Sequence, residues 1–161
     1  MELREATPLD FGAIAQLVPT LDELFRVYPK GTHPFTVDQV RFLAASREEL
    51  TVAVEGGKVI GFANLYNIEQ GHYAFIGNVV VAKEFRGQGV GRLLVSHMTR
   101  QAFDKYDVHE VRISVFNDNT AALLLYARMH FKPYAVEERI NPSGMRVGLI
   151  HMGLERSEYK A

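Results

Sequence analysis

The spacing of apolar residues changes once along this chain, near Leu50, and the change marks its organisation. Before it, residues 3–6 read as a short opening strand. Phe11, Ile14, Ala15, Leu17 and Val18 then recur every three or four positions, the period of a helix, between Pro8 near its start and Pro19 at its stop. Leu21, Leu24, Phe25 and Tyr28 continue the same period for another turn or two, and residues 28–34 read as a loop. Thr36 is placed to cap a further helix carrying Val37, Val40, Phe42 and Leu43.

From Leu50 the period falls to two. Residues 50–55 and 59–66 are expected to be strands joined through Gly56-Gly57 as a hairpin. A third strand, 72–82, runs into a glycine-rich turn, after which a helix is expected to bury Val90, Leu93, Leu94, Met98 and Ala102. Residues 110–116 read as strand, 119–129 as helix, 134–140 as extended, 141–144 as a turn and 146–154 as a closing strand. That order predicts an α/β chain of the α+β kind, a mixed sheet flanked by helices.

Composition narrows the function classes. At 161 residues the chain suits one domain, 1–161, with room for a proper core. Its 47% hydrophobic and 23% charged residues are those of a water-soluble globular protein, and no apolar run reaches membrane-spanning length. Without cysteine there is no disulfide, no thiolate nucleophile and no cysteine metal site. The six histidines are scattered, so no metal is expected. A net charge of −1 gives no general attraction to nucleic acid or to a membrane surface. Charges alternate over residues 1–5, unlike a secretory signal, and a cytoplasmic location is the expectation.

The chemistry concentrates where Val79, Val80 and Val81 lead into Arg86-Gly87-Gln88-Gly89-Val90-Gly91-Arg92. Glycines at alternate positions let a backbone reach positive φ and approach a ligand closely. The first N–H groups of the following helix have no partner in their own chain and point at an anion, with the helix dipole behind them. The third glycine comes one residue too early for the dinucleotide fingerprint, and the Gly-Lys-Ser/Thr ending of a P-loop is absent. A plain tight turn is the structural alternative.

Arg-x-x-Gly-x-Gly after a strand resembles the pyrophosphate loop of the GNAT superfamily of acyl-CoA-dependent N-acyltransferases. The block from Asn119 to Phe131, with Ala122 and Tyr126, is similar to that superfamily's Asn-x-x-Ala-x-x-x-Tyr-x-x-x-Gly-Phe segment. The likeness spans residues 50–154. It implies a mostly antiparallel sheet of about six to seven strands, helices on both faces, and a splay between the two central strands. It also implies that backbone at Val79, Val80 and Val81 holds the pantetheine arm of CoA, and that residues Arg86 through Arg92 take its diphosphate. Asn119 would contact the arm or serve only as a helix cap, with Asn117 the competing candidate. Tyr126 would protonate the departing thiolate, or else pack on the core with its hydroxyl satisfied elsewhere; a phenol's ordinary pKa near 10 suits the acid role.

The chain departs from the superfamily at two motif positions, and its loop 28–35 and turn 141–144 match no substrate signature. Where many members place a glutamate base it has Gly77 and Asn78, and neither accepts a proton. Freeing a primary amine of its proton at neutral pH costs roughly 4 to 5 kcal/mol. Glu69, His72, Tyr28, Tyr73 or a water chain are the candidates to provide it. His130 stands at the superfamily's glycine, where left-handed backbone is expected. The resemblance thus implies transfer of acetyl from acetyl-CoA to a small-molecule or peptide primary amine, by direct attack in a ternary complex. A homodimer is compatible with it. The competing class is a CoA-binding module without catalysis.

Overall fold

The computed structural model describes residues 1–161. Seven strands, β1 (Glu2–Glu5), β2 (Glu48–Glu55), β3 (Lys58–Glu69), β4 (Tyr73–Val81), β5 (Glu110–Phe116), β6 (Lys132–Ile140) and β7 (Arg146–Glu155), form one sheet in the order β1-β2-β3-β4-β5-β7-β6. Every neighbouring pair is antiparallel except β4 with β5. Five helices complete the chain: α1 (Phe11–Gln16), α2 (Leu21–Val27), α3 (Val37–Ala45), α4 (Val90–Lys105) and α5 (Thr120–Arg128).

Successive strand residues point to opposite faces, so β3 shows how the helices divide. Gly61 lies against Leu94 and Val90 of α4. Asn64, of opposite parity, bonds through Asn78 to the Val27 carbonyl at the end of α2. The helices therefore cover both faces, as expected. Phe62, Ile60, Leu65, Leu94, Met98, Phe103 and Ile113 are among the fully buried side chains between these layers.

The expected splay has a visible cause. On β3 the step from Phe62 to Asn64 spans two residues, while their partners Val80 and Gly77 on β4 are three apart. The extra residue is a β-bulge, and Asn78 takes a φ of 53° within it. Pairing of β4 with β5 ends one residue earlier, at Ile76 with Ile113. From Gly77 onward β4 keeps only β3 as a neighbour, and its other edge opens toward solvent.

Three local expectations change. The buried face of α4 runs through Val90, Leu94, Val95, Met98, Thr99, Ala102 and Phe103, while Leu93 is exposed. At 3.6 residues per turn Leu93 sits about 140° around the axis from Met98, outside the stripe. Strand β3 continues to Glu69, three residues past its expected end. Strand β6 begins at Lys132 and includes Pro133; it is a sheet edge, where a missing N–H is tolerated. His130 has a φ of 73°, and the Phe131 N–H returns to the Tyr126 carbonyl at 3.0 Å, so α5 ends in a left-handed cap despite lacking glycine.

Candidate active site

Strand β4 leaves the sheet through one turn of 3-10 helix, Lys83–Phe85, and enters α4 over Arg86 to Gly89. Gly87 and Gly89 have φ values of 76° and 86°, and a Cβ at either would meet nothing within 4 Å. Their glycine identity answers to backbone conformation, not to crowding. No N–H from Gly87 to Arg92 donates to any acceptor in the chain. These amides form a row of free donors at the start of a helix of 16 residues.

The row closes one end of a cavity of about 590 Å3. Val79, Val80, Val81, Arg86, Gly87, Gly89, Val90, Gly91, Arg92, Asn119 and Tyr126 all line it, so the structure brings together the site residues that the sequence suggested, with one exception. The Gln88 side chain turns back to donate to the Glu84 carbonyl at 3.2 Å, and Gln88 does not line the cavity. Arg86 donates to the Val81 carbonyl at 3.1 Å and pairs with Glu23 at 3.2 Å, which offsets much of its charge. Arg92 has no ion-pair partner. Arg128, which the sequence did not single out, joins it from the last turn of α5.

A second cavity, about 650 Å3, opens on the other side of the splay. The two share Arg26, Val27, Val79, Asn119 and Tyr126, so they meet where β4 parts from β5. Tyr126 is buried at this junction, and its hydroxyl makes no hydrogen bond within the protein. Burial pushes its phenol well above the ordinary tyrosine range, so it is a weaker acid here than the ordinary value near 10 suggests. Asn119 caps α5, its Oδ1 accepting from the Ala122 N–H at 3.4 Å, and also faces both cavities. Asn117 instead accepts from the Gly148 N–H at 2.8 Å and lines neither.

Of the suggested bases, only Tyr28 lines the second cavity. Glu69, His72 and Tyr73 lie at the β3–β4 connection, at the opposite end of β4 from the glycine turn, and face neither cavity. Gly77 is glycine for want of space. A Cβ there would stand 2.7 Å and 2.8 Å from the Tyr66 ring and 2.9 Å from Arg47 Nη1. The Arg47 guanidinium lies 3.9 Å over the centre of the Tyr66 ring, and burial holds its pKa below the usual value. A cation and an aromatic ring thus fill the place of the carboxylate that the resemblance implies.

Three further side chains in this cavity escaped the sequence reading. Ser114 Oγ is 2.7 Å from His151 Nδ1, and His151 Nε2 is 2.6 Å from Glu137 Oε1. They come from β5, β7 and β6 and are 37 and 14 positions apart. Only strand register assembles them: Ser114 pairs with His151, His151 pairs with Ala135, and Glu137 lies two residues on, on the same face. No three His, Asp or Glu side chains gather in a way that could hold a metal ion, and no helix is long and apolar enough to cross a membrane.

Residues 17–131 match the model of the Acetyltransferase (GNAT) family. Acetyltransferase PseH of Campylobacter jejuni subsp. jejuni serotype O:23/36 (strain 81-176) is 31% identical over 74 residues, which are 46% of this chain and 41% of that protein. The chain therefore spans less than half the length of that relative. Among solved structures, smu.2055 from Streptococcus mutans UA159 superposes with a TM-score of 0.81 at 22% identity, over 96% of this chain and 99% of the other. The Salmonella typhimurium protein yncA, solved with its cofactor acetyl-CoA, gives a TM-score of 0.81 at 20% identity, over 100% and 96%.

Proposed function

From a chain that belongs to the GNAT acetyltransferase family, we propose an enzyme that moves acetyl from acetyl-CoA to a primary amine by direct attack in a ternary complex. One observation carries this reading: two cavities, one ending in the free amides of Gly87 to Arg92, meet at the unpartnered hydroxyl of Tyr126. The amide row and Arg92 suit a diphosphate. The edge of β4 at Val79 to Val81, which no strand pairs and of which Arg86 takes the Val81 carbonyl, suits an extended amide-bearing arm, in the manner of an added strand. Acetyl-CoA brings an activated thioester, which at the junction lies beside an acceptor held in the second cavity.

The residues then divide the work. Juxtaposing thioester and amine removes the entropic cost of bringing them together. Backbone N–H groups of β4 beyond its last pair with β5 would supply donors to the thioester oxygen as it gains charge. Tyr126, whose unpartnered hydroxyl stands at the junction of the two cavities, donates to the leaving sulfur. Attack in this reading is direct, and the chain has no cysteine to carry an acyl thioester. We place the reaction in the cytoplasm, with a small-molecule or peptide acceptor and no nucleic-acid or membrane partner, and with a homodimer as the candidate assembly.

Calorimetry with acetyl-CoA, followed by thiol release in the presence of mixed amines and peptides, tests the reading. Binding together with amine-dependent thiol release is the expected result. The filled side-chain space at Gly77 favours a second reading, a CoA-binding module without catalysis; binding with no thiol release from any acceptor would establish that instead.

A further inference from the structure

We propose that Ser114, His151 and Glu137 form the proton relay that deprotonates the acceptor amine, replacing the carboxylate that positions 77 and 78 lack. The inference rests on the acetyl-transfer reading above. Ile113 with Ile76 is the last pair joining β5 to β4, so Ser114 is the first residue of β5 beyond the fork, across from Gly77. It faces the second cavity and is half-buried. The side chain that the family would send from one bank of the cleft is sterically excluded by Tyr66 and Arg47, and the relay stands on the other bank.

The chain of hydrogen bonds has a direction. Arg139, at 2.7 Å, and His151 both hold the Glu137 carboxyl below the usual carboxylate range, so it is an anion. An anion at Nε2 fixes the tautomer with its proton there, which leaves the Nδ1 lone pair to accept from Ser114. Tyr134 lies beside the imidazole, with ring centres 6.0 Å apart and planes 30° from parallel, and the two hydrogen bonds fix the ring. The other charged group close by on β5, Arg112, is committed to Glu110 at 2.6 Å.

In the step, Ser114 Oγ accepts a proton from the acceptor nitrogen as its own passes to His151 Nδ1; the imidazolium is held by Glu137, whose exposed carboxylate opens to solvent. The freed nitrogen lone pair forms the C–N bond. The C–S bond breaks, and sulfur leaves with its electron pair and takes the Tyr126 proton. Tyr126 is reprotonated from solvent. The nitrogen loses two protons through the relay and sulfur gains one, so each amide formed releases one proton. Ser114 touches the acceptor; His151 and Glu137 act through it as positioning residues.

The test uses the full chain, acetyl-CoA and a panel of primary amines at pH 7, from alkylamines through benzylamines and amino acid amides to weakly basic trifluoroethylamine. Ser114→Ala and His151→Gln are expected to lower kcat about 100-fold for the most basic acceptors, with KM for acetyl-CoA and its calorimetric affinity unchanged. The deficit should shrink to about twofold for the weakly basic amine, which is already neutral. Glu137→Gln should show the same pattern more weakly, and free imidazole should restore part of the His151→Gln rate. If the His151 variant fails to fold, the smaller Ser114→Ala change decides the matter. An active wild type whose variants match it, or lose equal rate on every amine, overturns the relay alone. A wild type inert toward the whole panel overturns the acetyl-transfer reading and the relay with it.

Discussion

Tyr126 and Gly77 show how much one side chain decides here. The Tyr126 hydroxyl has no partner to lose, so replacing it by phenylalanine leaves packing intact and no buried group stranded. Tyr126→Phe is therefore expected to unfold at the wild-type temperature and bind acetyl-CoA normally, while kcat falls about 100-fold through loss of the acid. Steady-state kinetics beside calorimetry separate these effects. Gly77 presents the opposite case. Its missing Cβ is the space that Tyr66 and Arg47 fill, and although Arg47 can swing its far end, the Tyr66 ring has little freedom. Gly77→Ala should lose about 1–3 kcal/mol in a denaturant titration. Gly77→Glu, which writes the family's carboxylate back in, should lose at least as much and gain no activity.

The bulge of β4 is the element on which the site depends. It forces two neighbouring strands apart, and a short polar chain fixes it: Asn64 Nδ2 to Asn78 Oδ1 at 2.8 Å, and Asn78 Nδ2 to the Val27 carbonyl at 2.9 Å. Asn64 is fully buried and its Oδ1 already lacks a partner, so it depends on Asn78 for the bond it has. Asn78→Ala is expected to cost about 1–3 kcal/mol by stranding the Asn64 amide, and more for an alanine held at positive φ. Asn78→Gly should recover the backbone share and leave the hydrogen-bond share lost; comparing the two melts checks this. A second tie fastens β1 to the helical layer. Two nitrogens of Arg4 reach Asp10 at 2.8 Å and 2.9 Å, and the Thr7 N–H joins them. Arg4 is the main reason the Asp10 carboxyl sits below its usual range. A depressed acid stabilises fully above its unfolded value near 3.9 and loses that contribution as pH falls through the lower folded value. Thermal melts should therefore show Asp10→Asn less stable than wild type at neutral pH, with the gap closing as the pH is taken below that range.

Acetyl-CoA, in the proposed mode, touches the continuous run from β4 through the glycine turn into α4 and, across the cavity, α5. Binding should therefore stabilise the molecule as a unit, by about 2.7 kcal/mol at a hundred times Kd. A rise in melting temperature with added acetyl-CoA measures it. Gly89→Asp should abolish both the rise and the calorimetric signal, since its carboxylate faces the diphosphate. The open space around position 89 keeps the fold, and the cost of an L-residue at a φ of 86° is about 1–2 kcal/mol. A Gly89→Asp protein that binds acetyl-CoA as wild type does would refute the placement of the diphosphate.

The alternation of apolar positions and the glycine turn were enough to read the order of strands and helices, the anion-ready start of α4 and the candidates along one continuous run from Val79 to Arg92. These features are local: a period of two or of 3.6, a positive φ and a free amide are set by residues a few positions apart. Contacts across strands were not legible, because nothing in Ser114, Glu137 or His151 taken singly marks them as partners. They meet only when β5, β7 and β6 settle into register. Likewise the sequence left the base open among Glu69, His72, Tyr28 and Tyr73, and distance along β4 removed all but Tyr28 from the cavities. Gly77 read as a missing carboxylate; packing shows it as a place already taken by Tyr66 and Arg47, since exclusion of volume arises only between chain segments that folding brings together.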